Sequence, residues 1–193
     1  ARRLAVEQLE SARLSRYKRP QLNRIDYNLE EFLPVAETKR QSSKPQLVVN
    51  VDTLEKANTA LANGADLVMF GGESLQGRPI NAEDYRTVVT LAREKRKGVI
   101  LSTPRIAKEW QMSGLTADLE LFRELAPDAV SVGNLGSFVV ARRIGGVPLY
   151  GDLSFNVFNG AAIRFLANEG FDGLTLSPEL NFGQVENLAA GSP

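Results

Sequence analysis

The 193-residue chain contains no cysteine and no histidine. Without cysteine it has no disulfide, no thiol nucleophile and no thiolate-bound cluster. Without histidine it lacks the side chain that titrates near neutral pH and the commonest metal ligand. Triads that depend on an imidazole are therefore excluded within this chain, and a zinc site would have to be all-carboxylate. Charge of one sign is also missing in excess: Lys plus Arg and Asp plus Glu both number 23. Nothing global thus argues for nucleic acid or an anionic membrane. No apolar run approaches the roughly 18 residues needed to cross a bilayer, and Ala1-Arg2-Arg3-Leu4 leads into charged residues rather than a signal-peptide core. These absences read as a soluble, cytoplasmic chain, and the start at Ala1 without an initiator Met reads as a piece of a longer one.

What is present falls into two regions. In residues 1–44, apolar groups at Leu4, Ala5, Leu9, Ala12 and Leu14 predict an amphipathic helix that ends by Pro20. A polar connecting arm follows, with Ile25, Tyr27, Leu29, Phe32, Leu33 and Val35 as its anchors. Across residues 45–193, short β-branched runs alternate with helix-period segments that stop at glycines. Strands are predicted at Leu47–Val51, Asp66–Phe70, Val99–Leu101, Ala129–Val132, Pro148–Leu153 and Gly173–Leu176. Helix starts are expected at Asp52 or Thr53, at Asn81, at Thr116, at Phe138, at Asn159 and near Asn181.

Strand–helix alternation with right-handed crossovers gives a parallel sheet. The dinucleotide fingerprint of a doubly wound sheet is absent, because Val51-Asp52-Thr53-Leu54-Glu55 has no glycine. Polar residues recur instead at the strand ends: Asn50 and Asp52, Glu73, Thr103 and Arg105, Asn134, then Asp152, Ser154 and Asn156, then Ser177 and Glu179. That recurrence predicts a TIM-like (β/α) barrel whose strand ends face one cavity. Only six strands are counted, so the barrel is expected to be incomplete and truncated at its C-terminal end. The arm over Arg19–Lys44, or a second copy of the chain, is expected to cover the open side.

Asp152 and Glu179 are the candidate catalytic residues, as an acid/base pair or a hard-metal pair with Glu73, although a helix cap explains Glu179 more simply. Asn50, Asp52, Arg105, Asn134, Ser154 and Asn156 are the candidate substrate-binding residues, and no metal site is assigned. Asp152, Ser154 and Asn156 alternate and would share one face of a strand, either touching a ligand or forming a buried polar network. Arg105 suits bidentate binding of an anion or an ion pair with Asp52 or Asp152. Gly71-Gly72 reads as a turn, the run from Arg93 to Lys97 as a solvated helix end, and Trp110 and Met112 as packing at the barrel end.

Five stretches, in this order and spacing, resemble the U32 peptidases, once called collagenase-like proteases, and in particular the second, C-terminal barrel of their long members. They are Val51-Asp52-Thr53-Leu54-Glu55-Lys56-Ala57, Ser102-Thr103-Pro104-Arg105-Ile106, Ala126-Pro127-Asp128 with Val132-Gly133-Asn134-Leu135-Gly136, Gly151-Asp152-Leu153-Ser154-Phe155-Asn156-Val157-Phe158-Asn159, and Leu176-Ser177-Pro178-Glu179-Leu180. The resemblance implies part of a U32 peptidase whose strand-end residues line a ligand pocket. Its alternative is a non-catalytic substrate-binding or structural barrel of a larger RNA-hydroxylating protein. The implied partners are a peptide or RNA substrate and other domains of a longer polypeptide. Family members that hydroxylate use an iron–sulfur cluster held by cysteines beyond the sixth strand, so here a cluster would need cysteines outside this chain. The chain alone is expected to show little or no proteolysis.

Overall fold

The computed structural model describes residues 2–17, 44–73 and 79–190. The chain divides into two compact units, Ala1–Leu33 and Pro34–Pro193. The first contains helix α1 (Arg2–Tyr17), where the expected amphipathic helix falls, with an Arg3–Glu7 contact of 3.2 Å one turn apart. The connecting arm, apart from Lys44, lies outside the described residues.

Among the described residues of the second unit, six strands form one parallel sheet in sequence order. They are β1 (Val48–Val51), β2 (Leu67–Gly71), β3 (Gly98–Ser102), β4 (Ala129–Val132), β5 (Leu149–Gly151) and β6 (Gly173–Leu174). Helices α2 (Leu54–Ala62), α3 (Ala82–Glu94), α4 (Met112–Leu125), α5 (Leu135–Ile144) and α6 (Gly160–Glu169) make the crossovers, and α7 (Phe182–Ala190) follows β6. Unbroken sequential order is the topology of an open (β/α) barrel; a doubly wound sheet reverses direction once.

Successive side chains of a strand face opposite sides of the sheet. Val68, Phe70, Val99, Leu101, Val130 and Val132 are buried in the apolar core that also takes Ala57 and Leu61 of α2, Val88 and Val89 of α3, and Leu119 and Phe122 of α4. An aromatic chain threads this layer: Phe70 meets Tyr85 edge-on at 5.9 Å, and Tyr85 meets Phe122 at 4.7 Å. Each fully buried Val, Leu or Phe of this layer contributes about 1.5–3 kcal/mol.

At the amino ends of the strands a reciprocal ring repeats three times. The Asp66 carboxylate accepts the Leu47 N–H at 2.9 Å while the Asp66 N–H donates to the Leu47 carbonyl at 2.9 Å. Asp128 and Val99 exchange the same pair at 2.7 and 3.0 Å, and Asp172 and Leu149 at 2.8 and 2.8 Å. Each aspartate thus locks an even-numbered strand to the strand before it. The Leu47 N–H above all holds the Asp66 carboxyl below its usual range; desolvation opposes this and Lys97 adds to it.

Local chemistry explains where elements begin. Thr53 accepts from the Lys56 N–H, Asn81 and Asp84 form a capping box, and Asn159 accepts from the Ala162 N–H. Asn181 and Gln184 exchange caps at the start of α7. Two expectations are corrected. Thr116 does not start α4; it lies one turn inside, where its hydroxyl donates to the Met112 carbonyl at 2.8 Å. Helix α5 starts at Leu135 rather than Phe138, because Asn134 caps it by accepting the Ser137 N–H at 2.8 Å.

Candidate functional site

A cavity of about 330 Å³ opens at the carboxyl ends of the strands, lined by Asn50, Asp52, Met69, Ser102, Arg105 and Asp152 among others. Strands β1, β2, β3 and the segment after β5 all reach it, which requires the sheet to curve. Of the eight candidate residues, Asn50, Asp52, Arg105 and Asp152 meet here. A larger hollow of about 690 Å³ lies by Val49, Val51, Leu54, Ala60, Phe70 and Ile80, on the helix side of β1.

Charge in the rim cavity is arranged in pairs with one group left over. Asp52 follows β1 directly, and Lys56, one turn into α2, brings its Nζ to 2.5 Å from the largely buried carboxylate. Arg105 donates from Nη2 to Glu73 at 3.1 Å. The expected Arg105 pairing with Asp52 or Asp152 is therefore replaced by Glu73, which β2 delivers to the neighbouring position. Asp152 has no side-chain partner among the described residues and caps nothing. Among the described residues of its lining, three carboxylates (Asp52, Glu73, Asp152) stand against two cations (Lys56, Arg105), an excess of one formal negative charge.

The other four candidates stand elsewhere. The alternation expected for Asp152, Ser154 and Asn156 does not occur, because β5 ends at Gly151 and a 3₁₀ turn spans Leu153–Phe155. Asn156 then adopts the left-handed conformation, φ 54°, and is exposed. The Ser154 hydroxyl donates to the Gly133 carbonyl at 2.6 Å, tying the β5 and β4 ends together. Asn134, besides capping α5, donates from Nδ2 to the Pro104 and Arg105 carbonyls at 3.2 Å each. Glu179 is exposed in the turn after β6 and does not line the rim cavity, so the structure does not bring it together with Asp152. The cap of the following helix is Asn181, not Glu179.

Arg105 is held from below. The Gly133 N–H donates to the buried Thr103 Oγ1 at 3.0 Å, and a Cβ on Gly133 would stand 2.6 Å from the Arg105 Cα, so only glycine fits. Gly71, at φ +112°, likewise lets the β2 end pass the Ser102 carbonyl and the Tyr85 ring. Trp110 corrects an expectation: a 3₁₀ turn, Glu109–Gln111, turns it outward to 74% exposure, while Met112 packs against the core. The basic run is not simply solvated either. Arg93 donates to the Leu125 and Ala126 carbonyls at the end of α4, and Lys97 lies 3.6 Å from Asp66.

Sequence reasoning missed Lys56, although Asp52 and Lys56 are four residues apart, the spacing of a helical ion pair. Among the described residues no three acidic side chains converge as a metal site, and no helix is long and apolar enough to cross a membrane. The chain offers no thiolate, so its residues do not fit an iron–sulfur cluster.

Six parallel strands in sequence order, with a polar pocket at their carboxyl ends, define an α/β domain of the incomplete TIM-barrel type. The model of peptidase family U32 matches residues 52–192, and the chain belongs to that family. It is 23% identical over 148 residues to a collagenase of Porphyromonas gingivalis, covering 74% of this chain and 35% of the relative. It is 26% identical over 153 residues to tRNA hydroxylation protein P of Escherichia coli, covering 75% of this chain and 33% of the relative. The chain thus spans about a third of the length of these curated relatives. Its fold is similar to a solved U32 peptidase, with TM-score 0.64, 14% identity, and coverage of 81% of this chain and 69% of that one.

Proposed function

We propose that the rim cavity is the substrate pocket of a U32 peptidase domain and that Asp152 is the group that meets the substrate. One observation carries this reading: among the described residues Asp152 has no side-chain partner, in a cavity whose other described charged groups are paired. Its carboxylate suits a peptide N–H or ammonium donor, or a water from which it draws a proton as general base. The Lys56–Asp52 and Arg105–Glu73 pairs act as polar walls, and Asn50 supplies an amide at the opening. Glu179 has no part in this proposal, because it lies on an exposed turn. Hydrolysis by the whole protein, its further domains and a cytoplasmic location belong to the same proposal. A second reading follows from the tRNA hydroxylation relative: the same pocket receives an RNA base, with the redox centre supplied by cysteines outside this chain.

The test is fluorescence anisotropy with a labelled gelatin-derived peptide, with unmodified tRNA as competitor. Asp152→Ala is expected to weaken peptide binding roughly tenfold, the loss of one charge-assisted hydrogen bond. An unchanged affinity removes Asp152 from the site. Binding of tRNA but not peptide transfers the pocket to the second reading.

A further inference from the structure

A second hollow, of about 390 Å³, borders the rim cavity: the two share Gly72, Ser102 and Thr103 in their walls. It runs between the starts of α3 and α4. Its apolar surface comes from Tyr85, Leu115 and Phe122, and one carboxylate, Asp118 of α4, stands in its wall. Asp118 has no ion-pair or hydrogen-bond partner among the described residues. In the wall common to both, the Ser102 hydroxyl is buried and also without a partner among the described residues. Buried polar atoms ordinarily find partners. A hollow bordering the rim cavity, with apolar side chains along part of its wall, an unmatched carboxylate and an unmatched hydroxyl, has the chemistry of a pocket for a long side chain with a cationic tip.

We infer that this hollow is a side-chain subsite for a lysine or arginine of the peptide bound at the rim, with Asp118 receiving the charge and Ser102 lining the entry. The inference rests on the peptide reading of the rim cavity and narrows it to substrates carrying a basic residue. The methylene stem of such a side chain lies against Tyr85, Leu115 and Phe122, as basic side chains do when they bury the stem and keep the tip polar. Burial already holds the Asp118 carboxyl above its usual range and, with the nearby Asp118 charge, pushes the Tyr85 hydroxyl up strongly. An arriving cation relieves that cost, whereas a neutral side chain does not.

Two measurements separate this subsite from the rim pocket. In the first, ¹H–¹⁵N spectra of the whole chain are titrated with n-butylguanidinium and with its neutral isostere n-butylurea. The guanidinium is expected to bind roughly tenfold more tightly, with shifts at Tyr85, Ser102, Thr103 and Asp118 that vanish in Asp118→Asn. Equal binding of both probes, or guanidinium binding that survives Asp118→Asn, overturns the inference whatever the rim pocket does. In the second, peptides differing by Arg against Gln are compared: a preference for Arg that is lost in Asp118→Asn, with the Gln peptide unaffected, supports the subsite. Binding of both peptides without preference ends the inference and leaves the rim pocket standing.

Discussion

The two ends of the strands use the same residue type for opposite purposes. At the amino ends Asp66, Asp128 and Asp172 each accept a backbone N–H from the neighbouring strand, within a ring that returns a second bond. At the carboxyl ends Asp52 is matched by a lysine side chain and Asp152, among the described residues, by no side chain. A carboxylate enclosed by backbone donors serves register and stability; one facing a cavity with a side-chain partner, or none, is available to a ligand. This is the division between the two faces expected of parallel barrels.

The largest expected effect tests that division directly. Asp128→Ala leaves the Val99 N–H, on a residue only 3% exposed, without its acceptor and is expected to cost about 1–3 kcal/mol. Asp152→Ala is expected to stay within about 0.5 kcal/mol of wild type. Urea unfolding of the two variants makes the comparison, and equal losses would erase the distinction between floor and rim.

A smaller effect breaks the comparison on purpose. Asn134 is at the rim yet is committed to a helix cap and two loop carbonyls. Asn134→Ala is expected to cost about 1 kcal/mol in thermal unfolding and to weaken peptide binding by displacing Arg105. Full stability in this variant would make Asn134 a ligand contact instead.

The smallest effect is one of pH. Burial raises the folded-state Asp118 carboxyl above its reference of 3.8. Below that pH the group is protonated folded and unfolded, and its contribution to stability is fully present. As pH rises through the raised folded value the unfolded chain ionises more readily and that stability is lost. Asp118→Asn should therefore melt slightly above wild type near pH 7, with the gap closing toward about pH 3. Calorimetry showing a pH-independent difference would contradict the burial of this carboxyl.

Much of this was legible in the sequence because its signals are local. Alternating β-branched runs and glycine stops located all six strands, and Thr53, Asn81 and Asn159 marked helix starts through their own side chains. Polar strand ends pointed to Asn50, Asp52, Arg105 and Asp152, which the structure brings to one cavity. The misses share a cause. Asp152, Ser154 and Asn156 carry a two-residue period, but period alone does not reveal that the strand stops at Gly151 and that Asn156 turns left-handed. Ser154, Asn134 and Thr103 took their roles from contacts with residues 21 to 30 positions away, which no window reports. The amino-end rings had a signal that went unread, an aspartate at the start of each even-numbered strand: Ala65-Asp66-Leu67, Pro127-Asp128-Ala129 and Phe171-Asp172-Gly173. Asp118 had none, since a single acid on a helix reads as solvated until its neighbours are known.

The contact at Gly133 bears on motion as well as on shape. Loops at the carboxyl ends of barrel strands ordinarily open at little cost. Here Pro104 and Arg105 lie against the Gly133 backbone, and the amide of that glycine is engaged with Thr103 inside the protein. Withdrawing the Arg105 backbone therefore means breaking the Asn134 bonds to the Pro104 and Arg105 carbonyls and straining the buried Thr103–Gly133 bond beside them. That is a local opening event on the slow microsecond-to-second scale, whereas a free side chain swings in nanoseconds. The Gly133 amide is the clock for this wall of the pocket: its solvent exchange rate reports how often the wall leaves its place.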